Sequence, residues 1–214
     1  VGDSESDGAS VVARSGDKLG DEHGVRPGDV AVFYRTNAQS RALEEVFVRV
    51  GLPYKVVGGT RFYERREVKD ALAYLRVLAN PDDAVNLRRI LNVPKRGIGD
   101  TTVGKIDAYA AMIGGTFVDA LRRADDADVG GKSLKGINGF LHLLDSFADE
   151  LAKGPGPALE AILRDTGYVD ELAEQRSVEA EGRLENLQEL VGMAQQYPTV
   201  EEFPLLARNV GKGI

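Results

Sequence analysis

The sequence predicts a mainly α-helical protein in which a short α/β segment precedes a larger helical bundle. Three observations lead to this fold class. Short runs of β-branched and aromatic residues flank one amphipathic helix before position 59, whereas apolar residues recur at helical spacing from position 60 onward. A glycine-bearing hairpin then separates two helices of the second part. We therefore predict two domains, residues 1–59 and residues 60–214.

The first domain has the pattern of a strand, a helix and a second strand. Residues 29–34 form an apolar, β-branched run typical of a buried strand, and residues 54–57 form another. Between them, residues 37–50 carry apolar side chains along one helical stripe. Residues 1–28 are rich in Gly, Asp and Ser, and a short helix is predicted at residues 10–19. This order indicates part of an α/β fold.

The second domain contains only helical patterns. Asn80-Pro81 and Gly154-Pro155-Gly156-Pro157 interrupt the apolar periodicity, because proline cannot continue a helix. The predicted helices cover residues 62–78, 84–91, 102–112, 117–123, 134–151, 158–163, 168–173, 179–197 and 200–210. Helices of this number and length favour a bundle with its own core.

The hairpin lies at residues 92–102 and has the sequence Asn-Val-Pro-Lys-Arg-Gly-Ile-Gly-Asp-Thr-Thr. Gly97 and Gly99 can adopt positive φ, and without Cβ atoms they let the backbone lie flat against a partner. Their N–H groups, with those that open the next helix, are expected to form an anion site. Cations precede the glycines and hydroxyl groups follow them: Lys95 and Arg96, then Thr101 and Thr102. The pattern favours a nucleic-acid backbone, bound without sequence preference and with strong salt dependence.

The same residues allow a purely structural interpretation. A glycine after a helix is a common C-terminal stop, and Asp100 is an ordinary N-cap for the following helix. Both interpretations stay open on local chemistry alone, because short motifs also match by chance.

Composition limits the classes of function. The net charge is −7, yet residues 61–105 hold ten Lys or Arg against six Asp or Glu. A basic segment in an acidic chain indicates one local anion-binding face, and the alternative is a solvated helix with i,i+4 pairs. The absence of Cys and the presence of only two His argue against disulfides, thiolate metal sites and histidine-based catalysis. No stretch has the length of a membrane span, so no membrane contact is expected.

Three other motifs fail on spacing or context. Gly131-Lys132-Ser133 is similar to the end of a phosphate-binding P-loop, but the glycine required five positions earlier is Asp126. Gly211-Lys212-Gly213 lacks the hydroxyl residue. Asp119 lies 20 positions beyond Gly99, where hairpin-bearing DNA glycosylases place a catalytic acid, but nothing nearby would tune it. We predict a surface carboxylate there, no catalytic residue and no metal site.

Four stretches carry longer motifs: residues 32–45 (VFYRTNAQSRALEE), 58–70 (GGTRFYERREVKD), 92–100 (NVPKRGIGD) and 182–190 (GRLENLQEL). In this order they resemble motifs of superfamily 1 DNA helicases of the UvrD/PcrA/Rep group. The resemblance covers residues 29–197 and is strongest to actinobacterial UvrD/PcrA proteins.

The resemblance implies that residues 1–59 are part of the second RecA-like motor domain, called 2A. Residues 60–214 would form the helical accessory subdomain 2B, whose end returns toward 2A. In this family, 2B rotates between open and closed positions, and its helix-hairpin-helix-like Gly-Ile-Gly hairpin rests on duplex DNA ahead of the fork. By position, the duplex backbone would be contacted by Lys95, Arg96, Gly97, Ile98, Gly99, Thr101, Thr102 and Lys105. Arg35 and Asn37 would lie along the single strand.

The resemblance further implies the DNA-binding accessory part of an ATP-dependent 3′–5′ helicase in repair and recombination, located in the bacterial cytoplasm at the nucleoid. The expected partner is double-stranded or forked DNA. ATP and Mg²⁺ would serve the parent enzyme, and we expect this chain to be a piece of that longer protein. It lacks the Walker A, acidic and arginine motifs that phosphoryl transfer requires, so we expect no cofactor and no ATPase activity from it alone. The alternative is an autoregulatory module whose acidic helices at residues 134–197 recruit repair or transcription proteins.

Overall fold

The computed structural model describes residue 11 and residues 25–34, 37–56 and 62–203. Within these ranges the backbone is mainly helical, which confirms the mainly α-helical part of the predicted class. The chain divides into two compact units between Arg65 and Arg66. Apart from residue 11, the helix predicted at residues 10–19 lies outside the described residues.

The first unit is organised around helix α1 (Asn37–Val50). Three apolar residues of α1 are buried, and two half-buried residues pack against them: Ala42, Leu43 and Val46, then Val32 and Phe47. The buried Glu44 carboxylate accepts hydrogen bonds from the Ser40 and Tyr54 hydroxyls, each at 3.0 Å. It also accepts one from the backbone N–H of Phe62 at 3.1 Å. These bonds offset the cost of burying a carboxylate and tie the following chain to α1.

Neither strand predicted for this unit is present in the described residues. Pro27–Asp29 is a 3₁₀ helix, and residues 30–34 and 52–56 have no regular structure. Val57, at the end of the second run, lies outside the described residues. A strand is stable only beside another strand, because its N–H and C=O groups need cross-strand partners. The described ranges place no strand beside either run, and Phe33, predicted as buried, is 93% exposed.

The second unit contains nine α-helices in the part of the chain that the structure describes. They are α2 (Arg66–Ala79), α3 (Ala84–Ile90), α4 (Asp100–Ile113), α5 (Phe117–Leu121), α6 (Gly131–Ser146), α7 (Ala148–Ala152), α8 (Pro155–Asp165), α9 (Tyr168–Glu174) and α10 (Val178–Ala194). None of the described helices combines the length and the apolar composition that a bilayer span requires.

The helix predictions from residue 62 to residue 197 are confirmed with two changes. A 3₁₀ helix, Phe62–Glu64, precedes α2 where one continuous helix is predicted. The helix predicted at residues 134–151 is divided into α6 and α7 at Phe147, which is 1% exposed. The last predicted helix begins as a turn at residues 200–202, and residues 204–210 lie outside the described ranges.

Helix α2 is the centre of the second unit. It packs against α3, α8 and α10. Val68, Ala73 and Leu75 of α2 have no exposed surface, and neither have Leu159 of α8 and Leu190 of α10. The hydrophobic effect therefore fixes α2 in the interior, and the polar contacts that α2 makes become reference points for its neighbours.

Asp70 on α2 is a buried carboxylate that joins three helices. It is 2% exposed, and it accepts hydrogen bonds from Arg89 Nε on α3 at 2.8 Å and from the Tyr168 hydroxyl on α9 at 2.9 Å. Burial, together with the neighbouring Asp70 charge, raises the pKa of Tyr168, so its hydroxyl stays protonated and can donate. Because a buried charge is costly without such partners, Asp70 fixes the end of α3 from which the hairpin starts.

Helix α6 lies directly against the backbone of the hairpin. A Cβ atom at Gly136 would stand 2.3 Å from the carbonyl oxygen of Arg96, which is closer than two such atoms can approach. Only glycine therefore permits this packing. One turn further along α6, a Cβ atom at Gly139 would meet nothing within 4 Å.

Replacing Gly136 with Ala is expected to destabilise the second unit by about 1–3 kcal/mol, because the new methyl group forces α6 and the hairpin apart. Gly139→Ala in the same helix should instead stabilise it by about 0.4–1 kcal/mol, since alanine restricts the unfolded chain. Urea denaturation of both variants measures the two changes. Equal effects of the two substitutions would show that α6 does not approach the hairpin in this way.

Candidate nucleic-acid interface

The hairpin joins α3 to α4 through residues 91–99, and the side chain of Asn92 shapes it. Asn92 Oδ1 accepts hydrogen bonds from the backbone N–H groups of Arg96 at 2.7 Å and Ile98 at 3.2 Å. The Val93–Pro94 peptide bond is cis. One side-chain amide thus satisfies two N–H groups that the turn leaves without a backbone acceptor.

The two glycines of the hairpin have different conformations. Gly97 has φ +75°, in the left-handed region that favours glycine, and its carbonyl oxygen accepts a hydrogen bond from Ser133 Oγ at 2.8 Å. Gly99 has φ −103° and ψ 176°, an extended conformation open to any residue. The sequence suggested positive φ at both positions. Only Gly97 uses it, whereas Gly99 leaves a flat surface, since a Cβ there would meet nothing within 4 Å.

The start of α4 is open to an anion. Its N-cap is Gly99 rather than the predicted Asp100, and no side chain caps the helix. The N–H groups of Asp100 and of the exposed Thr101 have no acceptor in the described part of the chain. An uncapped helix start carries a partial positive charge that attracts anions. The exposed carboxylate of Asp100 offsets part of this charge.

The two cations before the glycines differ in their surroundings. Lys95 has an exposed side chain without an ion-pair partner among the described residues, and its backbone N–H donates to the Glu171 carboxylate at 3.4 Å. Arg96 is half-buried, and its guanidinium donates to the carbonyl oxygens of Ile90 (3.0 Å), Leu91 (3.3 Å) and Pro94 (3.2 Å). It also donates to the Tyr74 hydroxyl at 2.6 Å and lies 5.0 Å from the centre of the Phe140 ring. Arg96, predicted to contact phosphate, is therefore engaged inside the protein.

Three other predicted contact residues are also engaged within the chain. Ile98 is 2% exposed and its backbone N–H donates to Asn92, so it offers no free donor to a ligand. Thr102 Oγ1 donates to Ser133 Oγ at 3.2 Å. Lys105 Nζ donates to the Asp128 carboxylate at 2.8 Å, and this contact holds the pKa of Asp128 below its usual range. Among the predicted side chains, those of Lys95 and Thr101 are the ones left exposed and unpaired by the described structure.

Sequence reasoning missed the start of α6 as part of this surface. The Gly131-Lys132-Ser133 run that fails as a P-loop opens α6, where its serine bonds to the hairpin. The side-chain carbons of Lys132 lie 3.0 Å from the position that a Cβ on Gly97 would take. Lys132 is exposed and has no ion-pair partner in residues 62–203. The detectable signal was a second glycine-led helix start followed by lysine, since Gly130 caps α6 without a side-chain bond.

The remaining candidates belong to other helices or lie outside the described residues. Arg35 lies outside the described residues. Asn37 is the first residue of α1, and its side chain is not among those described. Within the described ranges, no group of three or more His, Asp or Glu side chains could hold a metal ion. Acidic side chains considered for protein partners are exposed on α9 and α10: Asp170, Glu171, Glu174, Glu179, Glu181 and Glu185.

Asp119 takes part in a helix cap. The backbone N–H and the hydroxyl of Thr116 donate to Asp119 Oδ2 at 2.8 and 2.9 Å, and the N–H of Asp119 donates to Thr116 Oγ1 at 3.2 Å. This reciprocal pair is a capping box at the start of α5. The bonds from Thr116 favour the charged carboxylate and lower the pKa of Asp119.

The described structure is thus a helical module that presents a lysine-flanked Gly-Ile-Gly hairpin. A model of the UvrD-like helicase C-terminal domain matches residues 2–207. The chain is 47% identical over 205 residues to ATP-dependent DNA helicase UvrD1 of Mycobacterium tuberculosis, covering 94% of the chain and 27% of that protein. It is 41% identical over 175 residues to ATP-dependent DNA helicase PcrA of Bacillus subtilis, covering 81% of the chain and 24% of that protein.

The chain therefore belongs to the UvrD-like helicase C-terminal domain family. This confirms the UvrD/PcrA resemblance of the sequence motifs at the level of the family. The chain spans about a quarter of the length of these relatives.

Asp119→Ala is expected to lower stability at neutral pH more than in acid. Because the pKa of Asp119 is depressed in the folded state, its contribution is present above the unfolded value of about 3.9. It is lost as pH falls through the folded value. Urea titrations of wild type and variant from about pH 7 to pH 3 should show the two unfolding free energies converging.

The matched control is Asp125→Ala, which removes an exposed acid from the loop after α5. It removes a negative charge from the same part of the chain without removing a hydrogen bond of the α5 cap. A difference for Asp119→Ala that stays constant down to the lowest pH would contradict a stabilising role of the charged cap.

Proposed function

We propose that the chain is the duplex-DNA-binding accessory part of an ATP-dependent 3′–5′ DNA helicase of the UvrD/PcrA type, acting in bacterial DNA repair and recombination. In this proposal, residues 60–214 form the 2B-type subdomain, and residues 1–59 contribute to the 2A-type RecA-like motor domain. The family membership supports the helicase assignment. The geometry of the hairpin supports the DNA-binding role.

The observation that carries the proposal is the surface formed by the hairpin and two helix starts. Gly97 turns the chain in the left-handed conformation, Gly99 leaves the surface flat, and α4 begins without a side-chain cap. Exposed Lys95 and Lys132 supply positive charge at the same place. Amide donors, a flat backbone and ammonium groups together suit the oxygens of a sugar–phosphate strand.

This surface is suited to binding DNA without sequence preference. Base edges are read mainly by Arg, Asn and Gln side chains that form bidentate hydrogen bonds. The hairpin has two such side chains, Asn92 and Arg96, and both are engaged by the protein itself. The expected contacts are therefore electrostatic contacts to the backbone, which weaken steeply as salt concentration rises.

In this proposal, the catalytic steps of the parent enzyme take place in parts of that protein that lie outside this chain. The relatives UvrD1 and PcrA bear the name ATP-dependent DNA helicase, and the chain spans about a quarter of each. ATP and Mg²⁺ would be held where a Walker A lysine, acidic metal ligands and a charge-stabilising arginine come together. We propose no nucleotide site within these 214 residues.

Lys95→Ala and Lys132→Ala should each weaken binding to a DNA duplex about fivefold to tenfold at low salt, because each removes one ammonium group that pairs with a phosphate. The slope of log K against log salt concentration should fall in magnitude by about 0.9 for each phosphate that is no longer neutralised. Fluorescence anisotropy over a series of salt concentrations measures both quantities.

Lys153→Ala serves as the control, since Lys153 pairs with Glu150 at the end of α7. Its salt slope should equal that of the wild type. If Lys95→Ala and Lys132→Ala keep the salt slope of the wild type, the two lysines do not belong to the proposed interface.

Gly99→Val should fold normally and weaken duplex binding by about tenfold or more, because its side chain would hold the backbone away from the phosphates. The space around this position is open, so the valine meets no protein atom within 4 Å of its Cβ. Gly192→Val on α10, where space is equally open, is the matched control. Thermal denaturation checks folding, and anisotropy measures binding. Equal affinities for the two variants would refute the flat-surface role of Gly99.

A further inference from the structure

Arg96 occupies the sequence position of a phosphate ligand, but its surroundings are those of a structural anchor. We infer that Arg96 is a positioning residue for the proposed DNA site: its guanidinium sets the shape of the hairpin and does not contact DNA. This inference rests on the proposed function, because it concerns how the same surface is built. It changes which cation is expected to bind phosphate.

Both terminal nitrogens of the Arg96 guanidinium donate hydrogen bonds inside the protein. Nη1 donates to three carbonyl oxygens at the end of α3 and in the hairpin, and Nη2 donates to the Tyr74 hydroxyl. The Phe140 ring lies over the guanidinium at 5.0 Å. An end-on bidentate phosphate contact through Nη1 and Nη2 would need these same donors. Turning outward would remove the side-chain donor of the Leu91 and Pro94 carbonyls, and a carbonyl left unpaired away from water is costly.

Tyr74 connects this anchor to the core. It is 1% exposed on α2, and its hydroxyl donates to the Val93 carbonyl oxygen at 2.6 Å while it accepts from Arg96. Burial raises the pKa of Tyr74, so the hydroxyl keeps the proton that it donates. One buried phenol therefore fixes two points of the hairpin, at Val93 and at Arg96, and it has no surface with which to touch DNA itself.

The main chain at Arg96 is held from two further sides. The side chain of Asn92 accepts a hydrogen bond from the backbone N–H of Arg96, and the carbonyl oxygen of Arg96 lies against Gly136 of α6. With the side chain also fixed, the residues on either side are presented outward: Lys95 before it and the left-handed Gly97 after it. Removal of the guanidinium or of the phenol hydroxyl is expected to loosen this arrangement while every group that touches DNA stays in the chain.

The test compares Arg96→Ala, Arg96→Lys and Tyr74→Phe with Lys95→Ala in the 214-residue chain. Lysine keeps the charge of Arg96 but lacks the planar fork that serves several acceptors. Tyr74→Phe is the mildest variant and provides the result if the Arg96 variants do not fold. Three quantities are measured well below each melting temperature: duplex affinity, its salt slope, and amide hydrogen exchange of Ile98 in the DNA-free protein.

The inference predicts that Arg96→Ala, Arg96→Lys and Tyr74→Phe each weaken duplex binding, by about tenfold, with an unchanged salt slope and faster exchange at Ile98. Lys95→Ala should reduce the slope by about 0.9 and leave the exchange unchanged. The inference is overturned if Arg96→Ala reduces the slope with unchanged exchange, if Arg96→Lys retains wild-type affinity, or if Tyr74→Phe changes neither exchange nor affinity.

Failure of the proposed function is recognised separately. In that case the wild-type chain does not bind duplex DNA at low salt, and the role of Arg96 in the DNA site falls with it. The exchange measurement still decides whether Arg96 and Tyr74 shape the hairpin, because it needs no DNA.

Discussion

The carbonyl groups of Ile90 and Leu91 at the end of helix α3 accept hydrogen bonds from the guanidinium of Arg96. A helix leaves its last C=O groups without partners inside the helix. For Leu91 the donor is a side chain five residues further on, so satisfying this carbonyl requires the chain to bend back over the helix end. The Ile90 carbonyl also accepts from Arg96, in addition to the backbone N–H of Val93. The hairpin is the path of that bend. Its outer surface, with Gly97, Gly99 and Lys95, follows from how its inner surface is satisfied.

Arginine and lysine have separate roles around this hairpin. Arg96 and Arg89 serve buried acceptors, namely helix-end carbonyls and the Asp70 carboxylate. Lys95 and Lys132 stay exposed beside the glycines. The difference follows from chemistry: a planar guanidinium with five donors can serve several fixed acceptors, whereas a compact ammonium is strongly hydrated and costly to bury. In this part of the molecule, the positive surface available to an anion therefore consists of lysines.

Much of the helical fold could be predicted from sequence, because apolar periodicity and proline breaks are local signals. The runs at residues 29–34 and 54–57 could not be judged in this way, since a strand depends on a partner that its own residues do not specify. The hairpin was found for the same local reason as the helices. The direction in which the Arg96 side chain points could not be predicted, because it depends on Tyr74 and Phe140, which are distant in sequence. Lys132 was missed for the same reason, as only folding brings α6 to Gly97.

The proposed surface also meets competition from carboxylates of its own chain. Asp128 holds Lys105, Glu171 accepts from the backbone of Lys95, and Asp100 lies at the start of α4. Exposed ion pairs of this kind are weak because solvent screens them, so a phosphate can replace Asp128 at small cost. The competition nonetheless limits the affinity of a surface with few free cations on a chain of net charge −7. Under the proposed function, such a surface would bind DNA effectively where another part of the same protein already holds the strand, because tethering raises the local concentration. Weak, non-specific contact would therefore suffice for the proposed accessory role.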